Sequence, residues 1–164
     1  MKKVIIYLVF FYSMTNLANA QYITFGAGSS LSLPTGNLGA FNSFGSGIDL
    51  SAAHLISSNF ELFVQTGYTR FFGKTIGGGI KTDGRSHIPL LLGVRYRTNG
   101  PFFDGFLIGA GLGFGSFGKN SNGFNFNPQL GYSFENIDLI GHYSTTSLPG
   151  GTLNFMGLKA YYKF

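Results

Sequence analysis

Cysteine is missing from this chain, and so is tryptophan. Without cysteine there is no disulfide framework and no thiolate metal site. Charge is scarce as well. Asp, Glu, Lys and Arg make up 10% of the residues, against about 25% in an ordinary soluble domain. The basic residues are scattered, which speaks against a nucleic-acid surface. No metal-ligand cluster and no paired carboxylates stand out. Gly77-Gly78-Gly79 lacks the strand-to-helix setting of a phosphate loop and reads as a flexible link. Beyond residue 20 no apolar run approaches the ~18 residues of a membrane helix, yet 44% of the chain is hydrophobic.

What is present explains that combination. Glycine accounts for 26 of 164 residues and aromatics for 17%. Abundant apolar side chains without long apolar runs are what alternation produces, and side chains alternate across a β-strand. The first residues are a separate matter. Met1-Lys2-Lys3, an apolar run over residues 4–12 and Ala18-Asn19-Ala20 make a secretory leader with an A-x-A cleavage site. Residues 1–20 are expected to be removed, leaving 21–164 as one domain. The net charge of +5 includes Lys2 and Lys3, so the exported chain carries +3.

Alternation marks eight strands, at residues 22–33, 44–54, 60–71, 87–98, 103–114, 124–134, 137–146 and 153–164. The last is the clearest. Met156, Leu158, Ala160, Tyr162 and Phe164 share one face, and Phe155, Gly157, Lys159, Tyr161 and Lys163 share the other. Pro34-Thr35-Gly36-Asn37, Ser57-Ser58-Asn59, Asn99-Gly100-Pro101 and Glu135-Asn136 read as turns, because Pro lacks a ladder donor and Gly and Asn suit tight bends. Residues 72–85, 115–123 and 148–151 read as longer loops.

An eleven-residue strand rises ~36 Å and, tilted ~45°, covers the ~25 Å apolar band of a membrane barrel. A sheet in lipid must close on itself. The expected fold is therefore all-β, an eight-stranded antiparallel up-and-down transmembrane β-barrel. A lipocalin-like soluble barrel would put the apolar face inside. Here the second face carries Asp49, Glu61, Gln65, Arg95, Arg97, Gln129, Asp138, His142 and Lys159 with many glycines, which suits a polar lumen. Glu61 and Arg97 are expected to meet on neighbouring strands. Eight strands leave an interior that side chains fill, and buried charges need partners. The glycines of the fifth strand leave room for a narrow water path. Leu92 and Leu130 are expected on the lipid face, and Gly93 and Gly131 inside, where serine would be tolerated.

Gly67-Tyr68-Thr69-Arg70-Phe71, Ile88-Pro89-Leu90-Leu91-Leu92-Gly93, Pro128-Gln129-Leu130-Gly131-Tyr132 and the strand ending on Phe164 resemble the single-domain eight-stranded outer-membrane barrels of gram-negative bacteria, similar to the barrel half of outer membrane protein A. That resemblance implies the cell outer membrane, contact with its lipid and lipopolysaccharide, assembly machinery that reads the C-terminal strand through Phe164, a monomer, no nucleic-acid partner and no peptidoglycan-binding second domain. It implies a role carried by external loops, in adhesion or envelope integrity, with no catalytic residue, cofactor or metal. A narrow porin-like channel is the second possibility.

An enzyme is the third. His142 and Ser144 share a strand face, so His142 is placed to activate the serine. The stretch resembles the His-x-Ser pair of barrel-type lipid A deacylases. Those enzymes follow the pair with Asn and add a downstream acid. Here Thr145 follows, no Asp or Glu comes after Asp138, and Asn154 is the only polar residue in a similar place. His142 is expected alongside Asp138 and Lys159 in a lumen network.

Overall fold

A computed structural model describes residues 23–76, 79–99, 104–118 and 121–164. The leader, its cleavage site, the first residues of the first and fifth expected strands, Gly77, Gly78, Gly100, Pro101 and Lys119 lie outside the described residues.

The alternation becomes eight long strands: β1 (Ile23–Thr35), β2 (Asn42–Leu55), β3 (Phe60–Gly73), β6 (Arg85–Arg97), β7 (Phe106–Ser116), β8 (Asn122–Ser133), β9 (Ile137–Leu148) and β10 (Gly151–Lys163). Two two-residue strands, β4 (Thr75–Ile76) and β5 (Ile80–Lys81), form a small separate hairpin between β3 and β6. Each long strand pairs antiparallel with its sequence neighbour, and β1 pairs with β10 to close the barrel. Closure runs from Gly26 opposite Lys163 to Thr35 opposite Asn154. Backbone bonds between Phe25 and Phe164, at 3.0 and 3.3 Å, seal its end.

The two faces separate as the pattern requires. Leu31, Ile48, Leu92 and Leu130 point outward, each more than half exposed. Asp49, Glu61, Gln65, Arg95, Gln129 and Lys159 point inward and are buried. This is inverted relative to a soluble barrel, because most large apolar side chains face outward and the charged ones face the lumen. Aromatic pairs edge the outer wall: Phe60 and Tyr96 at 5.1 Å, Tyr132 and Phe134 at 4.9 Å, Tyr162 and Phe164 at 6.1 Å, Phe44 and Phe72 at 4.8 Å.

Two connections differ from the sequence reading. Strand β1 continues through Pro34, which is set opposite Phe155. The β1–β2 ladder has already ended at Ser32 and Gly45, so no donor is needed from Pro34 on that side. The segment read as a turn is a one-and-a-half-turn helix, α1 (Gly36–Phe41). It forms because Leu38 packs, 1% exposed, against Phe71, Phe117, Leu153 and Phe155 at the mouth. The loop expected at 148–151 shrinks to the two residues Pro149 and Gly150, with Gly150 and Gly151 at φ +99° and +153°. The connections at the α1 end are thus 6, 11, 5 and 2 residues long, and those at the other end 4, 8 and 3.

Candidate functional site

The inward face of β10 orders the lumen. Lys163 lies at the end shared by the termini, then Tyr161, Lys159, Gly157 and Phe155, with Leu153 at the α1 end. Each level is closed by residues from other strands.

At the terminal end, Lys163 Nζ lies 2.9 Å from Asp138 Oδ1 and donates to Ser133 Oγ at 2.7 Å. Arg97 Nη1 donates to the same hydroxyl at 2.6 Å. The next level is a charge cluster. Glu61 accepts from Arg95 Nη1 at 3.1 Å and from Arg97 Nη2 at 3.0 Å. The expected Glu61–Arg97 contact is present, but the residue opposite Glu61 in register is Arg95. Arg95 also donates to Gln129 Oε1 at 2.8 Å and lies 4.0 Å over the Phe63 ring. Gln129 Nε2 in turn donates to Gln65 and Asn127 at 3.0 and 2.8 Å. Above this, Lys159 Nζ donates to Asp49 Oδ1 at 2.7 Å. The α1 end is apolar: Leu38, Phe71, Phe117, Leu153 and Phe155.

The arrangement fills the barrel. A vestibule of about 520 Å³ opens at the terminal end and is lined by Glu61, Arg95, Arg97, Asp138 and Lys163. Deeper, a void of about 10 Å³ borders Thr69, His87, Asn127, His142 and Ser144, room for about one water molecule. The glycine face of β7 is lined by side chains from facing strands. A Cβ at Gly109 would meet Arg95 Cγ at 2.7 Å, one at Gly111 the Phe63 ring at 3.3 Å, and one at Gly115 His87 Nε2 at 2.8 Å. Those glycines make way for side chains reaching across from β3 and β6. Phe63 and Phe71 therefore matter most among the inward residues that the sequence reading passed over. Their parity with Glu61 and Gln65 was the available signal.

The His142–Ser144 pair is buried on the lumen face, as expected. The two residues are not joined. Asn125 Nδ2 donates to Ser144 Oγ at 3.0 Å and to Thr146 Oγ1 at 2.6 Å, and Ser144 Oγ donates to Asn125 Oδ1 at 3.3 Å. His142 Nδ1 has no hydrogen-bond partner, and the ring packs edge-on to Phe155 at 5.7 Å. The expected His142–Asp138 association is also absent, because Asp138 bonds Lys163 and Ser133. Asn154 stands opposite Thr145 rather than Ser144. The serine thus lacks both a base in contact and an orienting acid. Among the described residues no group of three His, Cys, Asp or Glu is placed to hold a metal.

No protein-family model and no curated protein matches the sequence. Solved structures do match the fold. Ail, the attachment invasion locus protein of Yersinia pestis, in a phospholipid bilayer nanodisc, is 15% identical over 87% of this chain and 99% of its own, with a TM-score of 0.61. A de novo designed transmembrane β-barrel is 15% identical over 86% and 95%, at 0.53. Neisserial surface protein A is 17% identical over 86% and 95%, at 0.51. At such identity the likeness speaks for architecture, which the register and the inside-out faces establish independently: the chain has the eight-stranded antiparallel up-and-down fold of small outer-membrane β-barrels.

Proposed function

We propose that this chain is an outer-membrane protein with a closed lumen, which acts in adhesion or envelope integrity through the surface at its α1 end. The observation that carries this reading is the inside-out partition: an apolar outer wall around buried ion pairs. A protein in water gains nothing by exposing Leu92 and Leu130 while burying Glu61 and Lys159. In lipid the same choice puts apolar surface against acyl chains and each buried ionised side chain beside a partner of opposite charge. With the interior filled, the ends of the barrel remain for binding. The naming of Ail for attachment and invasion supports an adhesive role by analogy of fold. We read His142 and Ser144 as structural members of the lumen, since Asn125 holds the serine, and assign no catalytic chemistry. Assembly through the strand ending on Phe164, and a monomeric state, complete the reading.

Fractionation of producing cells, followed by comparison of deletion and complemented strains for surface adherence and detergent sensitivity, tests the proposal. The protein is expected in the outer-membrane fraction, with one of the two phenotypes restored by complementation. Recovery in the inner membrane or the soluble periplasm would overturn it.

A further inference from the structure

Among the described residues, the ion pairs of the lumen join four cations to three carboxylates, because Glu61 serves both Arg95 and Arg97. That level therefore carries one positive charge in excess. The excess is enclosed: the Arg95 and Glu61 side chains are 2% and 3% exposed, and Arg97 is 24% exposed. An ion held away from water without its own counter-charge is costly. The hydrogen bonds show the same shortfall. The other guanidinium nitrogens of the two arginines bond Glu61, Gln129 and Ser133. Arg95 Nη2 and Arg97 Nε are buried and have no hydrogen-bond partner. A guanidinium offers donors only, so both groups require an oxygen from elsewhere. Both arginines line the vestibule of about 520 Å³ that opens at the terminal end, a volume within the range of small-ligand pockets.

The rest of the vestibule restricts what carries that oxygen. Asp138 is committed to Lys163 and Ser133. Glu135 lines the same space, is exposed and has no ion pair among the described residues. Its carboxylate opposes a dianion such as phosphate and attracts a cation. Between the two charged ends the wall is mixed, with Ala53 and Leu55 beside Ser51 and Asn136. The matching molecule has a carboxylate at one end, an ammonium at the other and a small amide-bearing body between. A short peptide has that form.

We propose that the vestibule binds a short peptide by its terminal carboxylate, seated against Arg95 and Arg97, with the ammonium end toward Glu135. Arginine suits the first task because its planar fork meets carboxylate oxygens directly, and charge-assisted hydrogen bonds are the strong ones. The inference rests on the outer-membrane reading only for the source of the peptide, which is the compartment that the terminal end faces.

Calorimetric titration of the purified barrel in neutral detergent tests this, with trialanine, its C-terminal amide, N-acetyltrialanine and inorganic phosphate as probes. Trialanine is expected to bind saturably and to shift the Arg97 Nε–H resonance in nuclear magnetic resonance spectra. The amide should not bind, and N-acetyltrialanine and phosphate should bind more weakly than trialanine. Arg97→Gln should weaken trialanine by about tenfold or more, as loss of a hydrogen bond between charged groups does. Arg97→Lys, which keeps the charge and loses the fork, should retain part of the affinity. Glu135→Gln should abolish the preference for trialanine over its acetylated form. Lys74→Gln, at the opposite end, removes a cation outside the site and should change nothing. Heat-modifiable gel mobility checks that each variant is folded. Absence of saturable trialanine binding would assign the two nitrogens to water and overturn the proposal. Equal binding of the amide would overturn it too, as would phosphate binding as tight as the peptide, which marks a plain anion site. So would a Glu135→Gln variant that keeps the wild-type preference. These outcomes are read on purified protein, so failure here leaves the cellular location standing. Failure of fractionation would instead remove the outer-membrane reading itself.

Discussion

Lys159 on β10 reaches over β1 to Asp49 on β2, Nζ to Oδ1 at 2.7 Å, joining residues 110 positions apart. Both side chains are buried. The pair spans the seam where the first and last strands meet, so it ties barrel closure to a charge interaction. Breaking a buried pair by removing one partner costs about 3–5 kcal/mol, because it leaves a charge uncompensated. Lys159→Met is therefore expected to destabilise the barrel by about that amount. Lys159→Met with Asp49→Leu should recover most of the loss. Urea titration in lipid vesicles checks both. Equal losses in the single and double variants would show that shape, not charge, sets the cost.

The outer wall and the lumen should respond differently to the same kind of change. Leu92→Arg or Leu130→Arg is expected to cost about 2–4 kcal/mol near the bilayer midplane. The structure corrects the companion expectation that serine at Gly93 or Gly131 costs much less. A Cβ at Gly93 would meet Ala110 O at 2.3 Å and Phe63 Cζ at 2.4 Å, and one at Gly131 would meet Leu139 O at 2.4 Å. Gly93→Ser is thus expected to be strongly destabilising, and trimming the facing ring by Phe63→Leu should relieve part of the strain. Folding titrations of the single and double variants measure the coupling.

For the histidine and serine, the expectation reverses part of the sequence reading. Asp138 keeps Lys163 and Ser133 whatever stands at 142, so His142→Leu does not orphan a carboxylate. It is expected to be nearly neutral, within about 1.5 kcal/mol, as shape-conserving core changes are. Ser144→Ala removes a partner from Asn125 and should cost about 0.5–1.5 kcal/mol. Neither change should alter lipid A acylation when the protein is overproduced. Thermal melts and lipid A mass spectra decide, and a serine-dependent loss of one acyl chain would reinstate the enzyme.

A conductance measurement separates the closed barrel from a narrow channel. In planar bilayers the wild type is expected to show no stable ion current. The vestibule stops at the Arg95–Glu61 level, and the far mouth is stoppered by Leu38. Leu38→Ala alone should lose about 2–5 kcal/mol and still not conduct, since the charge level beneath is intact. Steady wild-type current would favour the channel.

Topology follows from where the connections lie. A single cysteine at Lys74 or Ser121, both at the α1 end, should react with an impermeant reagent on intact cells, and one at Ser58 should not. Thr82 is a poorer reporter because its hydroxyl bonds Phe41 O and Lys74 O. Labelling at Ser58 with protection at Lys74 would invert the orientation.

Strand number, face polarity and the identity of the inward charges were legible in the sequence. They depend on a period of two, and a one-residue slip would have turned Lys159 and Glu61 to the outside. Alternation is local, so residues such as Leu92, Gly93 and Leu130 declare their faces without help from the fold. What tertiary structure decided is which inward residues meet. Asp138 chose Lys163 over His142, Ser144 chose Asn125, and Glu61 took two arginines, because partner choice depends on the stagger between strands and on reach across the lumen. The same holds for Leu38. Its helix exists for the sake of Phe71, Phe117, Leu153 and Phe155, all distant in the chain, so no local pattern could announce it.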